Sequence, residues 1–218
     1  MMKKNATTKK SDKKKPAKKA TRLKILKAAR KVFAQYAYHA ASIRMIGKEA
    51  GIDHPLISYY FPSKAELFEA VLTDIAQGWN KANKSWFEGL GEMSLESGLA
   101  HYIDRLINYC KKHPYAVRVF LLNVVQAQDA ETIPGYQAIQ TFFKQTMSLL
   151  KNRLSIQASD RDIEIFRQSF NTLALSYLGA SSYYASILGM DANSREYEEW
   201  IRDMLMDLFL PRLKQLLA

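Results

Sequence analysis

Few residues in this 218-residue chain have the types and spacing that catalysis requires. Cys110 and His113 are one possible pair of metal ligands, but no second pair follows, and a closed metal site needs about four ligands. Asp160, Asp162 and Glu164 alternate as a solvated helix start does, not as a catalytic pair. The sequence contains no phosphate-binding glycine loop and no nucleophile motif. It therefore predicts a protein that is not an enzyme and that needs no metal or cofactor.

Binding chemistry is available instead in the stretch GIDHPLISYYFPSK, residues 51–64. Gly51 suits a left-handed helix end, Asp53 can cap a new helix, and Pro55 fits its first turn. Ile57 and Phe61, four residues apart, predict the inward face of that helix. The other faces carry His54, Pro55, Leu56, Ser58, Tyr59 and Tyr60. Several of these side chains can hydrogen-bond base edges or phosphates.

The neighbouring segments predict the helices that position this stretch. Thr21 is a candidate N-cap for an amphipathic helix that extends to Tyr36, with apolar residues three and four apart. Ser42 can cap a second helix, and Ser63 with Glu66 forms a capping box for a fourth. Two short helices joined by a glycine turn and preceded by a longer helix are typical of a helix-turn-helix.

Residues 22–72 resemble the DNA-binding domain of the tetracycline-repressor (TetR) family of bacterial regulators. The features that carry the resemblance, in order, are Phe33, Ser42-Ile43, Ala50-Gly51-Ile52, Tyr60-Phe61 and Ser63-Lys64. The resemblance implies that Ser42 and Arg44 meet the phosphate backbone and that Tyr60 and Lys64 also address phosphates. It places His54, Pro55, Leu56, Ser58 and Tyr59 in or beside the major groove.

The net charge of +11 belongs mainly to the start of the chain. Residues 1–24 hold ten lysines and Arg22 against Asp12, a net charge of +10, which leaves about +1 for the rest. With almost no apolar side chains, residues 1–20 are predicted to be a disordered tail. Two interpretations stay open: a solubilising tail, or an arm that lies along DNA phosphates. The single cysteine, Cys110, excludes an internal disulfide and favours a reducing, cytoplasmic location.

The rest of the chain has helical periodicity, with helices expected at about 99–112, 115–128, 136–156, 161–188 and 194–217. Residues 168–190 lack any charge, but their polar groups make a poor membrane span. The last two helices are apolar on several faces, which favours a four-helix dimer interface over the core of a monomer, and the resemblance implies the same. The interface candidates are Tyr177, Gly179, Ala180, Tyr184, Trp200, Met204 and Leu208.

Aromatic residues of this region could line a ligand cavity, although most aromatic residues in such a domain are ordinary core. The candidates are Trp86, Tyr102, Tyr109, Phe120, Phe142 and Phe166.

The expectation is an all-α chain with a basic tail (1–20), a helix-turn-helix DNA-binding domain (21–75) and a helical ligand-binding and dimerisation domain (76–218). With the resemblance, it is a ligand-responsive regulator, expected to be a repressor, whose homodimer binds a palindromic operator in double-stranded DNA. A small hydrophobic or aromatic effector would release it, and no membrane partner is expected. The alternative is a protein that coats DNA through its tail without regard to sequence.

Overall fold

Helices account for the regular structure of the described residues, which are 14–124, 129–141, 144 and 158–217 of this computed structural model. In chain order they are α1 (Lys14–Phe33), α2 (Ile43–Ala50), α3 (His54–Tyr60), α4 (Lys64–Trp86), α5 (Leu95–Lys112), α6 (Pro114–Val124), α7 (described over 136–141), α8 (Asp160–Gly179), α9 (Ser181–Ile187) and α10 (Arg195–Leu217). Two single 3₁₀ turns lie at Leu90–Glu92 and Ala130–Thr132. The expected all-α class, an N-terminal helix-turn-helix unit followed by a helical C-terminal part, is confirmed.

Local capping signals set the ends of the short helices. The Ser42 hydroxyl accepts from the Met45 N–H at 3.3 Å, and the Ser63 hydroxyl accepts from the Glu66 N–H at 3.1 Å. Gly51 adopts φ 57° and ends α2, as its glycine identity predicts. Asp53 differs from the expectation, because its side chain makes no capping bond.

The first helix begins earlier than expected. It starts at Lys14, so Lys14 to Ala20 are helical and Thr21 lies inside the helix instead of capping it. Lysine and alanine are good helix formers, and Pro16 falls in the first turn, where its missing N–H has no helical partner. Residues 14–20, expected to belong to the disordered tail, are thus part of α1. Residues 1–13 lie outside the described part, and the disordered tail stays a prediction there.

Buried apolar residues form two clusters that α4 joins. The first is built by α1 to α4, with Phe33 and Phe68 at its centre and Ala116 and Val119 of α6 added. The second joins the end of α4, at Trp86, to α5, α8 and α10. The domain boundary expected at residues 75 and 76 lies inside α4 and stays a prediction.

The C-terminal helices differ from the expected ranges in two places. The helix expected over 161–188 is two helices, because Ala180 has φ −110° and ψ 34° and interrupts it. Helix α5 starts before residue 99, since the Ser94 hydroxyl caps it by accepting from the Ser97 N–H at 3.2 Å. The later parts of the helices expected at 115–128 and 136–156 fall largely on residues that are not described. In the described parts of the chain, no helix combines the length and apolarity that crossing a membrane demands.

Candidate nucleic-acid interface

Helix α3 is anchored by one side and presents the other to solvent. Ile57 is 0% exposed and Phe61 at its end is 4% exposed, as their spacing predicted. On the outer side Tyr59 is 66% exposed and Leu56 is 44% exposed. His54 and Pro55 are also exposed, whereas Ser58 and Tyr60 are half-buried. The face is thus free to enter a groove.

The turn between α2 and α3 is too tight for side chains at its contact point. A Cβ on Gly47 would lie 2.8 Å from the carbonyl oxygen of Ile52, which is closer than real Cβ contacts come. The Gly51 N–H bonds the carbonyl of Lys48, and the Ile52 N–H bonds that of Gly47. These contacts fix the angle at which α3 leaves α2.

Four of the expected DNA-contact residues line one concave surface beside α3. Ser42, Arg44, His54 and Lys64 meet there, from the start of α2, the start of α3 and the start of α4. A concave surface with Arg44, Lys64 and the free N–H groups of helix starts favours an anion such as a phosphate. The remaining residues expected at DNA lie along α3 outside this surface.

Lys64 has a structural task that the sequence did not reveal. Its ammonium group donates to the carbonyl oxygens of Tyr38 at 2.8 Å and Ala41 at 3.1 Å. It also lies 4.5 Å from the centre of the Tyr38 ring, a cation–π distance. Since an ammonium group has three donors, these bonds leave one N–H of Lys64 for a phosphate.

Two basic residues of α1 contact the end of α3, and the sequence analysis did not select either as a candidate for the DNA interface. The Lys18 ammonium donates to the Tyr59 hydroxyl at 3.1 Å, and Arg22 lies 4.9 Å from the centre of the Phe61 ring. The hydrogen bond to Tyr59 raises the pKa of Lys18 above its ordinary value. The Tyr59 oxygen accepts from Lys18, so its own O–H can donate to DNA. Basic residues four apart on α1 were the available signal.

A second candidate site is a cavity of about 60 Å³ between α4, α5, α6, α7 and α8. Tyr102 and Phe120 line it, as expected, together with Trp79 from α4. The other described candidates, Trp86, Tyr109 and Phe166, are not among its lining residues. They belong to aromatic contacts of the core, such as Trp86 with Tyr109 and Phe166 with Phe209. Phe142 lies outside the described residues.

The cavity has polar groups but no charged residue among its described lining residues. Asn83 and Asn171 line it, and neither was singled out from the sequence. The Tyr102 hydroxyl donates to Asn83 Oδ1 at 3.2 Å, and burial raises the pKa of Tyr102 far above its ordinary value. The walls are therefore uncharged at neutral pH.

The buried thiol near this cavity is chemically quiet. Cys110 is 5% exposed, and burial raises its pKa to about 12. Burial lowers the pKa of His113 below its ordinary value, and the positive charges of Arg30 and Lys112 contribute in the same direction. Within the described ranges, no group of three or more His, Cys, Asp or Glu side chains could hold a metal ion.

Most of the expected dimer residues make contacts within their own chain. The Tyr177 ring lies 4.4 Å from that of Tyr184 and 5.2 Å from that of Trp200. A Cβ on Gly179 would clash with Leu121 Cδ1 and would lie 2.8 Å from Val117 Cγ1. Gly179 therefore permits the close approach of α8 to α6 within the chain, and its role in a dimer stays a prediction.

The remaining dimer candidates differ in exposure. Leu208 is 55% exposed, Ala180 is exposed and Met204 is half-buried. Tyr183 at 64% and Ile187 at 65% exposure, both on α9, are further exposed apolar residues that the sequence reasoning did not select.

Comparison with known proteins identifies the N-terminal domain. Residues 25–71 match the model of the bacterial regulatory proteins, tetR family. The HTH-type transcriptional regulator RutR of Escherichia coli is 30% identical over 101 residues, 46% of each chain. The repressor NicS of Pseudomonas putida is 33% identical over 99 residues, 45% of this chain and 46% of that protein. The chain thus spans about half the length of the curated relatives it matches.

Solved structures extend the likeness in fold to most of the chain. A tetR family regulator from Shewanella superposes with a TM-score of 0.64 at 18% identity, covering 87% of this chain and 95% of that one. FadR of Bacillus subtilis, solved with stearoyl-CoA, gives 0.62 at 17% identity, covering 84% and 97%. At such identities the likeness shows the fold alone. The helix-turn-helix geometry and the match over residues 25–71 show that the N-terminal domain of this chain is that of the bacterial regulatory proteins of the tetR family.

Proposed function

We propose that this protein is a transcriptional repressor that binds a palindromic operator as a homodimer and is released by a small uncharged ligand. The observation that carries the proposal is α3: its inner residue Ile57 is 0% exposed while Tyr59, on the outer side, is 66% exposed. A short helix held in this way can enter a major groove with its polar side chains against base edges.

The test of DNA recognition is selection of duplexes from a random pool by the purified protein. We expect a palindromic sequence with half-sites about one helical turn apart. Tyr59→Ala should weaken binding to the selected duplex about tenfold or more. Tyr115→Ala, a matched change at an exposed tyrosine of α6, should leave the affinity unchanged. Equal affinity for all duplexes would refute sequence-specific recognition.

The dimer is proposed to form through α9 and α10. Tyr183, Ile187 and Leu208 are large apolar side chains that are each more than half exposed, which is typical of an association surface. Ile187→Glu should yield a monomer in sedimentation velocity and lose the palindromic duplex, because a half-site alone binds weakly. Leu23→Glu, at a residue that is 52% exposed on α1, is the matched control for self-association. A wild-type monomer at micromolar concentration would remove the dimer from the proposal.

The ligand is proposed to occupy the cavity of about 60 Å³. Because its described walls are apolar with the amides of Asn83 and Asn171, an apolar ligand with one neutral hydrogen-bonding group fits their chemistry. Release from DNA requires that the ligand prefer the conformation unfit for the operator by a few kcal/mol.

Benzamide and benzoate are a matched pair of probes that differ in charge. We expect millimolar benzamide to quench the fluorescence of Trp79, which lines the cavity, and to raise the melting temperature. Benzoate should do neither, since burying an unpaired carboxylate is costly. A cavity that holds benzene measures about 150 Å³, so the walls must widen to admit either ring. Stronger binding of benzoate would refute the uncharged class.

The alternative, sequence-independent coating of DNA by the basic start of the chain, rests on the charge of residues 1–24. It predicts a strong salt dependence without any preferred duplex. The same selection experiment separates the two functions.

A further inference from the structure

Helix α6 belongs to both parts of the molecule. Val117 and Phe120 line the cavity between α6 and its neighbours. Val119, which lies between them in the sequence, is 0% exposed within the N-terminal cluster that contains Phe33 and Phe68. A movement of α6 that accommodates a ligand would therefore also displace side chains that pack in the N-terminal cluster of the DNA-binding domain.

Asn123, near the end of α6, ties the helix to the turn between α1 and α2. Its Oδ1 accepts from the Tyr38 N–H at 2.6 Å, and its Nδ2 donates to the carbonyl oxygens of Val119 at 2.8 Å and Phe33 at 3.5 Å. The side chain is 6% exposed, so water does not readily replace these bonds. An amide is needed here, because it supplies an acceptor and a donor on the same side chain.

The backbone of Tyr38 continues the connection toward the DNA-facing surface. Its N–H is held by Asn123, and its carbonyl oxygen accepts from the Lys64 ammonium at 2.8 Å. Lys64 lines the concave surface with Ser42 and Arg44, the residues expected to meet the phosphate backbone. One residue thus lies between a helix of the cavity wall and a residue of the candidate interface.

We propose that Asn123 is a positioning residue that couples occupancy of the cavity to DNA binding through Tyr38. A ligand that pushes Phe120 shifts α6, and a shift of about 1 Å is enough to break a hydrogen bond of this length. With its N–H released, Tyr38 no longer holds Lys64 and the start of α2 in the arrangement that fits DNA. The inference rests on the proposed function, since it assumes that the chain binds a preferred duplex.

The test uses a side chain that fills the cavity as a substitute for the ligand. Asn171→Phe adds volume from α8 and changes neither α4 nor α6. We expect it to weaken binding to the selected duplex by about tenfold, a typical size for coupling between sites. In an Asn123→Leu background the same change should have no further effect. Asn108→Leu is the control. Among the described residues, the Asn108 amide bonds only within its own helix, where it donates to the Asp104 carbonyl at 2.9 Å.

A second measurement leaves Asn123 intact. In the Asn171→Phe variant, hydrogen exchange at the Tyr38 amide should be faster than in the wild type, whereas amides of α10 around Leu205, a helix with no residue among the cavity's described lining residues, should be unchanged. The coupling is overturned if Asn171→Phe weakens DNA binding equally with and without Asn123, if it has no effect on DNA binding, or if exchange at Tyr38 is unaltered. Absence of any preferred duplex for the wild type would instead overturn the proposed function.

Discussion

Lys64→Met removes the ammonium group that the helix-turn-helix uses and keeps most of the apolar stem. The variant loses the bonds to the carbonyl oxygens of Tyr38 at 2.8 Å and Ala41 at 3.1 Å and the contact with the Tyr38 ring. A hydrogen bond to a charged group contributes about 1.5–3 kcal/mol and a cation–π contact about 0.5–1 kcal/mol.

Opposing effects reduce this sum. The positive charge of Lys64 stands at the start of α4, where the helix dipole disfavours it by about 0.5 kcal/mol. The carbonyl oxygens also regain some hydration, because Lys64 is only half-buried. The loss of the hydrogen bonds outweighs these two effects, and we expect the free energy of unfolding to fall by about 2 kcal/mol. For a chain of this size the melting temperature should then fall by about 4–8 °C.

Urea denaturation followed by circular dichroism measures the effect, with Lys48→Met as the control. Lys48 is an exposed lysine of α2 in the same domain, and its replacement should change stability by less than about 0.5 kcal/mol. If Lys64→Met were as stable as Lys48→Met but bound DNA much more weakly, Lys64 would point at phosphate and not at the two carbonyl groups. That result would refute the account of the α1–α2 turn given above.

Three further predictions concern DNA contacts and the buried thiol. Tyr60→Phe should weaken binding to all duplexes alike, because a hydroxyl on a phosphate carries no sequence information, and a changed preferred sequence in the selection assay would contradict this. Deletion of residues 1–13, which precede α1 and hold five lysines, should flatten the dependence of affinity on salt without changing the selected duplex; an identical slope would make this segment a solubilising tail. Cys110, with a pKa raised to about 12 by burial, should react with Ellman's reagent at pH 8 only after denaturation, and rapid labelling of the native protein would show that α5 is not packed as described.

Short-range signals in the sequence were sufficient for the DNA-binding unit. The caps at Ser42 and Ser63 and the left-handed Gly51 involve partners within a few residues, so they can be read from the order of the amino acids. The same holds for the buried face of α3, where Ile57 and Phe61 follow the helical repeat.

Prediction was weaker where several helices compete for one apolar surface. The periodicity of residues 161–188 could not show a break at Ala180, which accompanies the close packing of Gly179 on α6. Likewise, aromatic identity alone did not separate Phe120, which lines the cavity, from Phe166, which packs on Phe209.

The order of the amino acids was enough to predict the helical class, the helix-turn-helix and the outward face of α3, because each depends on the helical repeat and on contacts between near neighbours. The roles of Lys64 and Asn123 depend instead on packing between distant segments. Apart from the Val119 carbonyl, four residues before Asn123, their hydrogen-bond partners lie 23 to 90 residues away in the sequence, and all of them are backbone groups, which every residue type carries. The pairing exists only once α6 and the start of α4 have packed beside the turn that follows α1.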